Sequence, residues 1–403
     1  MPIDVAALTA ASGTELAEIF AGLHEAGPVH QARYHDVDMW LVTGHDEARK
    51  LLTDARRFSN RESYANPAAQ ASPMLVHQDV SGLPPMLPFL DPPDHTRLRR
   101  LINRVFTPAR VERLRPSVQQ IADELLDAMA TRDECDLVRD FAFPLPVSVI
   151  MRLVGVPAER GEDFHRWAGL FATGDPEKMP LVPAAMAEML AFAGSLVRQR
   201  RAQPEDDLLS AMVTATESGE AMTPEEAAAM VFALVAAGHE TTLNLIGSGM
   251  LTLLDNPAMP AALRDDLSGV DAAVEELLRV DAPAKMTAFR YVVEDVELAG
   301  TRMRAGDVVA VLLAAANQDP RRFSGGACPH LAPETGTPHI AFGAGVHFCV
   351  GAPLARLEAR IAFRGLLGRF TDFEITVPRD ELRWKASLFV RGPLSLPMRY
   401  RLR

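Results

Sequence analysis

The stretch Phe342-Gly343-Ala344-Gly345-Val346-His347-Phe348-Cys349-Val350-Gly351 decides how the rest of the chain is read. It places one thiol at the end of a glycine-rich loop, and the residues from Pro353 onward suit a helix. The glycines allow tight turns and leave backbone N–H groups free to point at the sulfur. A helix starting just beyond brings its positive end near that sulfur and favours the thiolate. His347, two residues earlier, is placed to bond a carboxylate on a cofactor rim. A thiolate in such a loop suits a large flat cofactor, and an iron porphyrin gains electron density from it. Two other readings stay open on these residues alone. A lone cysteine is often a buried inert thiol. Cys328-Pro329-His330 together with His347-Phe348-Cys349 forms a CxH…HxC pattern of zinc-ligand types. Zinc accounts for none of the features below, whereas glycine on both sides of Cys349 suits approach to a flat surface.

The chain has 403 residues, which by length alone allows two or three domains. No linker-like segment, composition shift or repeat divides it, so one unit over 1–403 is expected. The net charge of −12 argues against general binding to nucleic acid or to a membrane surface. Three widely spread cysteines, Cys135, Cys328 and Cys349, do not form a disulfide framework and fit a reducing cytosol. Met1 to Phe20 carries Asp4, Glu15 and Glu18 without a long apolar run, so neither a signal peptide nor an anchor is expected there. The apolar stretch Ala227 to Ala237 is too short to span a bilayer and runs into His239 and Glu240. A soluble cytoplasmic protein is the expectation.

Most of the chain reads as helix: Arg113–Ala130, Ala184–Arg201, Thr223–Leu254, Asp271–Arg279 and Pro353–Phe370. Strands are short and peripheral: Val37–Val42, Arg290–Leu298 and Val308–Leu313. The helix from Thr223 has a clear start, with Thr223 as N-cap, Pro224 in the first turn and Glu226 completing a capping box. About thirty residues is long against a usual mean of about 11–12, so this helix is expected to cross the whole molecule. At its centre stands Ala237-Gly238-His239-Glu240-Thr241-Thr242. Glycine is a poor helix-interior residue, and threonine bonds back to the carbonyl four residues earlier, so the ladder is expected to open and bend here. Ala233, Ala237 and Thr241 share one face, small enough to leave room over a cofactor. Glu240 beside an apolar run is costly without a partner.

The loop from Phe342 to Gly351 resembles the haem-binding loop of the cytochrome P-450 family, Phe-x-x-Gly-x-x-x-Cys-x-Gly. Phe342, Gly345, Cys349 and Gly351 fill its fixed positions. The resemblance runs from Trp40-Leu41-Val42-Thr43-Gly44 to Arg391-Gly392-Pro393 and is strongest to the soluble bacterial branch. It implies a mainly helical α+β fold, with a long central helix over one haem face and small peripheral β-sheets. It implies a haem-thiolate monooxygenase of secondary metabolism that binds haem b (iron protoporphyrin IX) through Cys349. The substrate would be a hydrophobic small molecule, hydroxylated by one atom of dioxygen. NAD(P)H would supply electrons through ferredoxin reductase and ferredoxin, and a monomer is expected. Oxidative coupling, epoxidation and peroxide-driven oxidation are the variants within the family. A zinc- or haem-binding protein without activity is the alternative outside it.

The resemblance also assigns residues. Glu240 becomes the acid and Thr241 the alcohol that carry protons to dioxygen. His95, Arg99, Arg290 and His347 fall at positions that bind the haem propionates, while Ala237, Phe342, Gly343 and Gly351 lie against the cofactor. Glu276-Leu277-Leu278-Arg279 raises a conflict. Helical spacing puts Glu276 and Arg279 opposite the apolar face as a solvated pair, whereas the resemblance makes them the anchor of the loop behind the thiolate. The family's further arginine after a proline is missing after Asp319-Pro320-Arg321-Arg322-Phe323, and His330 is the candidate substitute. Arg97, Arg100 and Arg104 face away from His95 and Arg99. Seven arginines against one acid between Arg97 and Arg115 suggest docking of an acidic partner. Pocket candidates by family position are Leu83–Phe89, Trp167–Thr173, Ala233, Ala237, Met286–Phe289 and Leu388–Phe389. Lys285 among them is expected to be exposed and paired with Asp281.

Overall fold

Thr223 starts the longest helix as its sequence signal requires. In the computed structural model, which describes residues 2–11, 13–70, 86–171, 177–217, 220–324, 326, 329 and 338–403, the capping box is complete. The Glu226 N–H donates to Thr223 Oγ1 at 3.1 Å, and the Thr223 N–H donates to Glu226 Oε2 at 2.9 Å. The helices that place the site are α1 (Asp94–Val105), α2 (Arg115–Ala130), α3 (Pro144–Val154), α4 (Gly161–Phe171), α5 (Val182–Ala202), α6 (Pro224–Asp255), α7 (Val270–Val280) and α8 (Ala352–Arg369). The expected helix from Arg113 to Ala130 is α2, preceded by a separate short helix, Pro108–Arg113, whose N-cap is Thr107.

Helix α6 spans 32 residues and is buried against α3, α5 and α8. Its length and hydropathy would also allow a membrane crossing, but most of it lies inside the protein core. The expected opening of the ladder at Gly238 is not realised: α6 runs through Gly238–Thr242 without interruption. Thr241 and Thr242 do bond back, to the carbonyls of Ala237 at 3.0 Å and Gly238 at 3.4 Å. Gly238 has another reason to be glycine. A Cβ there would lie 3.0 Å from Ile150 Cδ1, so the missing side chain lets α3 approach.

The main sheet consists of β1 (Ile3–Asp4), β2 (Val29–Tyr34), β3 (Val37–Val42), β4 (Phe58–Ser59), β5 (Arg290–Val292) and β6 (Val308–Val311). Their order is β1-β2-β3-β6-β5-β4. β3 and β6 are parallel with Trp40 opposite Val309, and β6 and β5 are antiparallel with Val309 opposite Arg290. That register carries Arg290 into the interior on a strand buried at every position. The stretch expected as one strand over Arg290–Leu298 is two, because the chain turns after Val292 and Val296–Leu298 pairs with Thr301–Met303 instead. Likewise the strand from Val308 stops at Val311, and Leu313 opens a short helix.

Candidate active site

The loop around Cys349 is built by two left-handed glycines. Gly343 has φ +71° and Gly345 φ +72°, a region that side chains enter only at a cost. Gly345 also touches the helix His45–Thr53, where a Cβ would sit 2.4 Å from the Leu52 carbonyl oxygen and 2.9 Å from Thr53 Cα. The Cys349 N–H donates to the Phe342 carbonyl at 2.9 Å and closes the loop. Three residues on, α8 begins, and the backbone N–H groups of Gly351 and Ala352 point at the sulfur. Cys349 is accessible, yet its sulfur is set deep enough that burial raises the thiol pKa. Gly351, Arg99, Ala352 and Arg356 oppose that rise in falling order. A bound metal cation reverses the balance outright, because a coordinating thiol is deprotonated.

Four basic groups cluster around His347 of the Cys349 loop with little to neutralise them. His95 and His347 face each other at 4.2 Å between ring centroids. Both nitrogens of His95, Nη1 of Arg290 and Nε2 of His347 are buried without a hydrogen-bond partner. Burial, then His95, Arg290 and Arg99, drives the His347 pKa down to about 3. Burial brings Arg290 to about 10, opposed by Asp91. Burial also lowers Arg99, while Cys349 raises it. Such a cluster of buried donors lacks an anion, and a flat cofactor with carboxylates on its rim fits it. The four groups come from α1, β5 and the Cys349 loop, so the fold brings together all the residues expected to form the cradle.

On α6, Ala237 is exposed although Val235 and His239 beside it are buried. Ala233 and Thr241, on the same face, are partly accessible. A small-residue face open in the middle of a buried helix borders interior space. His239 points the other way, with Nδ1 2.6 Å from the Val235 carbonyl and Nε2 3.0 Å from the Ala168 carbonyl on α4. Glu240 has found a partner in Lys385, whose Nζ donates to Oε1 at 2.9 Å.

Glu276 and Arg279 are buried, at 4% and 6% exposure, which overturns the solvated pair suggested by helical spacing. Arg279 donates to both Glu276 oxygens, at 2.7 and 2.9 Å, and to the carbonyls of Asn317 and Gly326 at 3.0 and 2.6 Å. Its guanidinium also lies over Phe323, 5.0 Å from the ring centroid. His330 and Cys328 lie outside the described residues, as does the CxH half of the zinc pattern. Among the described residues no group of His, Cys, Asp and Glu is arranged to hold a metal ion.

A second anchor behind the loop escaped the sequence reading. Arg356 of α8 lies over Phe342 at 4.5 Å and donates twice to Glu275, at 2.7 and 2.8 Å. His339 Nε2 sits 3.2 Å from the same carboxylate. Burial pushes the Glu275 pKa up, but His339 and Arg356 outweigh it and hold it at about 2. The i, i+81 separation from Arg356 explains why no local signal marked it.

Other expectations need correction. Lys285 is not exposed: it is 2% accessible and donates to the Leu8 carbonyl, and burial lowers its pKa to about 8. Asp281 instead accepts from Thr252 Oγ1 at 2.6 Å and pairs with Arg391. Trp167 is buried between α4 and α5, 5.5 Å from Phe192, and donates to Glu188 at 2.9 Å. Met286 is buried as well, while Phe289 and Phe389 stack edge-on at 5.8 Å with Phe389 exposed. Residues 83–85 and 172–173 lie outside the described residues. In the basic run, Arg97 is committed to Glu226 at the start of α6, Arg110 to the Asp207 carbonyl and Arg115 to Glu112. Arg100 and Arg113 are exposed, as are Val346 and Phe348 on the Cys349 loop.

Comparison with known proteins gives a consistent result. The family model described as Cytochrome P450 matches residues 181–397. The cytochrome P450 monooxygenase PikC of Streptomyces venezuelae is 43% identical over 389 residues, covering 95% of this chain and 90% of the relative. The 6-deoxyerythronolide B hydroxylase of Saccharopolyspora erythraea is 38% identical, covering 94% of this chain and 95% of the relative. The tirandamycin C-bound monooxygenase TamI superposes with a TM-score of 0.83 at 38% identity, over 95% of this chain and 96% of its own.

Proposed function

This chain belongs to the cytochrome P450 family, and from that premise we propose that it hydroxylates a hydrophobic polyketide-derived metabolite with Cys349 as the iron ligand. Its class is that of a haem-thiolate monooxygenase acting on hydrophobic secondary metabolites, with haem b as cofactor. When bound, the haem activates dioxygen so that one oxygen atom enters a substrate C–H bond and the other leaves as water.

The observation that carries the residue assignment is the cluster of basic side chains at the Cys349 loop, in which buried nitrogens of His95, Arg290 and His347 lack hydrogen-bond partners. His95, Arg99, Arg290 and His347 would receive the two propionates. Cys349 would supply the thiolate, steadied by the Gly351 and Ala352 N–H groups and the positive end of α8. Phe342, Gly343 and Gly351 would form the surface under the ring. On the other side Ala237 would keep α6 low enough to leave reaction space. Thr241 and Glu240 would hold and pass protons there, in the manner of positioned general acids. Residues 1–403 would act as a single domain.

The substrate class rests on the relatives, among them a 6-deoxyerythronolide B hydroxylase and a tirandamycin C-bound enzyme. The aromatic pair Phe289 and Phe389 suits an apolar guest. Electrons come from a separate redox partner. Ferredoxin with its reductase is the proposed pair, meeting Arg100, Arg113, Val346 and Phe348 on the elements that flank the Cys349 loop. A cytoplasmic monomer completes the proposal.

Two spectra test it. The reduced, CO-bound wild type should absorb as a thiolate-ligated haem, and Cys349→Ser should not. A Cys349→Ser protein with an unchanged spectrum would overturn the ligand assignment. Titration with 6-deoxyerythronolide B or tirandamycin C should shift the Soret band to the blue. A shift with myristic acid alone would replace the polyketide-derived metabolite with a fatty acid.

A further inference from the structure

The acid on α6 is held by a residue 145 positions away. Lys385 and Glu240 are only 5% and 17% exposed at their side chains, and Nζ meets Oε1 at 2.9 Å. Oε2 of Glu240 has no protein partner among the described residues.

The backbone that presents Lys385 is fixed on every side. Trp384 bridges Pro393 in antiparallel fashion, and the Lys385 N–H donates to the Gly392 carbonyl at 3.0 Å. The Lys385 carbonyl accepts from the Ser387 N–H at 3.0 Å. Ser387 Oγ then accepts from the N–H groups of Phe389 and Val390, at 3.2 and 3.3 Å. The base of this turn presses on α6 one helical turn beyond Glu240. A Cβ on Gly392 would fall 2.1 Å from Asn244 Oδ1. The ammonium is therefore delivered to Glu240 by a hairpin that is itself seated on α6. An attraction between opposite charges at this depth is far stronger than at the surface, and it opposes any swing of the carboxylate away from Lys385.

We propose that Lys385 is a positioning residue for proton delivery: it holds Oε1 of Glu240 and leaves Oε2 as the proton-carrying atom. The inference rests on the reading of Glu240 and Thr241 as the proton carriers. Lys385 itself touches neither substrate nor reacting atoms.

The test uses four holoenzymes: Lys385→Gln, Lys385→Arg, Glu240→Gln and the double variant Lys385→Gln/Glu240→Gln. Each is reduced by NADPH through a surrogate ferredoxin and reductase without added organic substrate. Hydrogen peroxide formed per dioxygen consumed is the first readout. Lys385→Gln should raise that yield at least about twofold, modest beside the roughly 100-fold a positioned proton carrier can contribute. Lys385→Arg should stay near wild type. The double variant should match Glu240→Gln, because Lys385 acts only through Glu240.

The second readout is the urea midpoint. Lys385→Gln leaves a buried carboxylate uncompensated and should lower it, whereas adding Glu240→Gln should restore part of the loss. A merely space-filling lysine would show no such rescue. If Lys385→Gln does not accumulate, the double variant should, and its failure too would overturn the proposal. An unchanged peroxide yield in Lys385→Gln beside a raised one in Glu240→Gln sinks this inference and leaves the proton-carrier reading standing. Unchanged yields in both sink that reading and the inference with it.

Discussion

Gly343 and Gly345 share a backbone conformation but not a neighbourhood, and that contrast yields a quantitative expectation. Both have positive φ, at +71° and +72°, so alanine at either position carries the left-handed cost of about 1–2 kcal/mol. At Gly343 the protein adds nothing else, since its nearest atom to a new Cβ is the His347 carbonyl oxygen at 4.0 Å. At Gly345 the new Cβ meets the Leu52 carbonyl oxygen at 2.4 Å and Thr53 Cα at 2.9 Å. Both are backbone, so they yield only if the helix His45–Thr53 or the loop moves, at a further cost of about 1–3 kcal/mol. Gly345→Ala should therefore be less stable than Gly343→Ala by about 1–3 kcal/mol, with a total loss of about 2–5 kcal/mol. Urea unfolding of the haem-loaded variants, followed by far-UV circular dichroism, measures the difference. The reduced CO spectrum shows whether a shifted loop still presents Cys349. Equal losses, within about 0.5 kcal/mol, would refute the close-approach argument and leave backbone strain as the whole effect.

Thr241→Ala should retain haem and dioxygen consumption while diverting electrons to peroxide; an unchanged product yield per NAD(P)H would contradict the role given to the hydroxyl. Arg279→Met removes the two charge-assisted bonds that the buried Glu276 receives from Arg279 and should cost about 3–5 kcal/mol in urea unfolding; a loss below about 1 kcal/mol would restore the surface-pair reading. Glu275 has a folded pKa of about 2 against an ordinary 4.5. A depressed carboxylate contributes stability above its unfolded pKa and loses it as pH falls through the folded value, so this contribution should fade between 4.5 and about 2. In Glu275→Gln the urea midpoint should fall less steeply across that window, and identical slopes would show that Glu275 is not linked to folding.

The parts of the fold that could be read in advance depend on neighbours in sequence. Thr223, Pro224 and Glu226 lie within four residues, and their capping box formed as read. Gly238 did not break its helix, because the physical demand on it comes from Ile150 of α3, far away in the chain. Glu276 and Arg279 show the limit more sharply. Helical periodicity correctly put them opposite the apolar stripe of α7. It carried no information that Asn317, Phe323 and Gly326 would cover that opposite face. The family resemblance pointed to an anchoring role for the pair but not to these partners.

The same division runs through the charges of the site. Cys349 was legible because a rare residue stood among glycines at fixed spacing. The basic cradle was legible only by resemblance, since its members come from three separate segments. Glu275 with Arg356, and Glu240 with Lys385, were not legible at all. Two lysines make the reason concrete. Lys285 and Lys385 are each almost wholly buried, and each sits in an apolar local sequence, Ala-Lys-Met and Trp-Lys-Ala. Lys285 meets only a backbone carbonyl, and burial carries its pKa down to about 8. Lys385 meets a carboxylate on the central helix. Which buried lysine meets a counter-charge is therefore decided by the element packed opposite each one, and that packing belongs to tertiary structure.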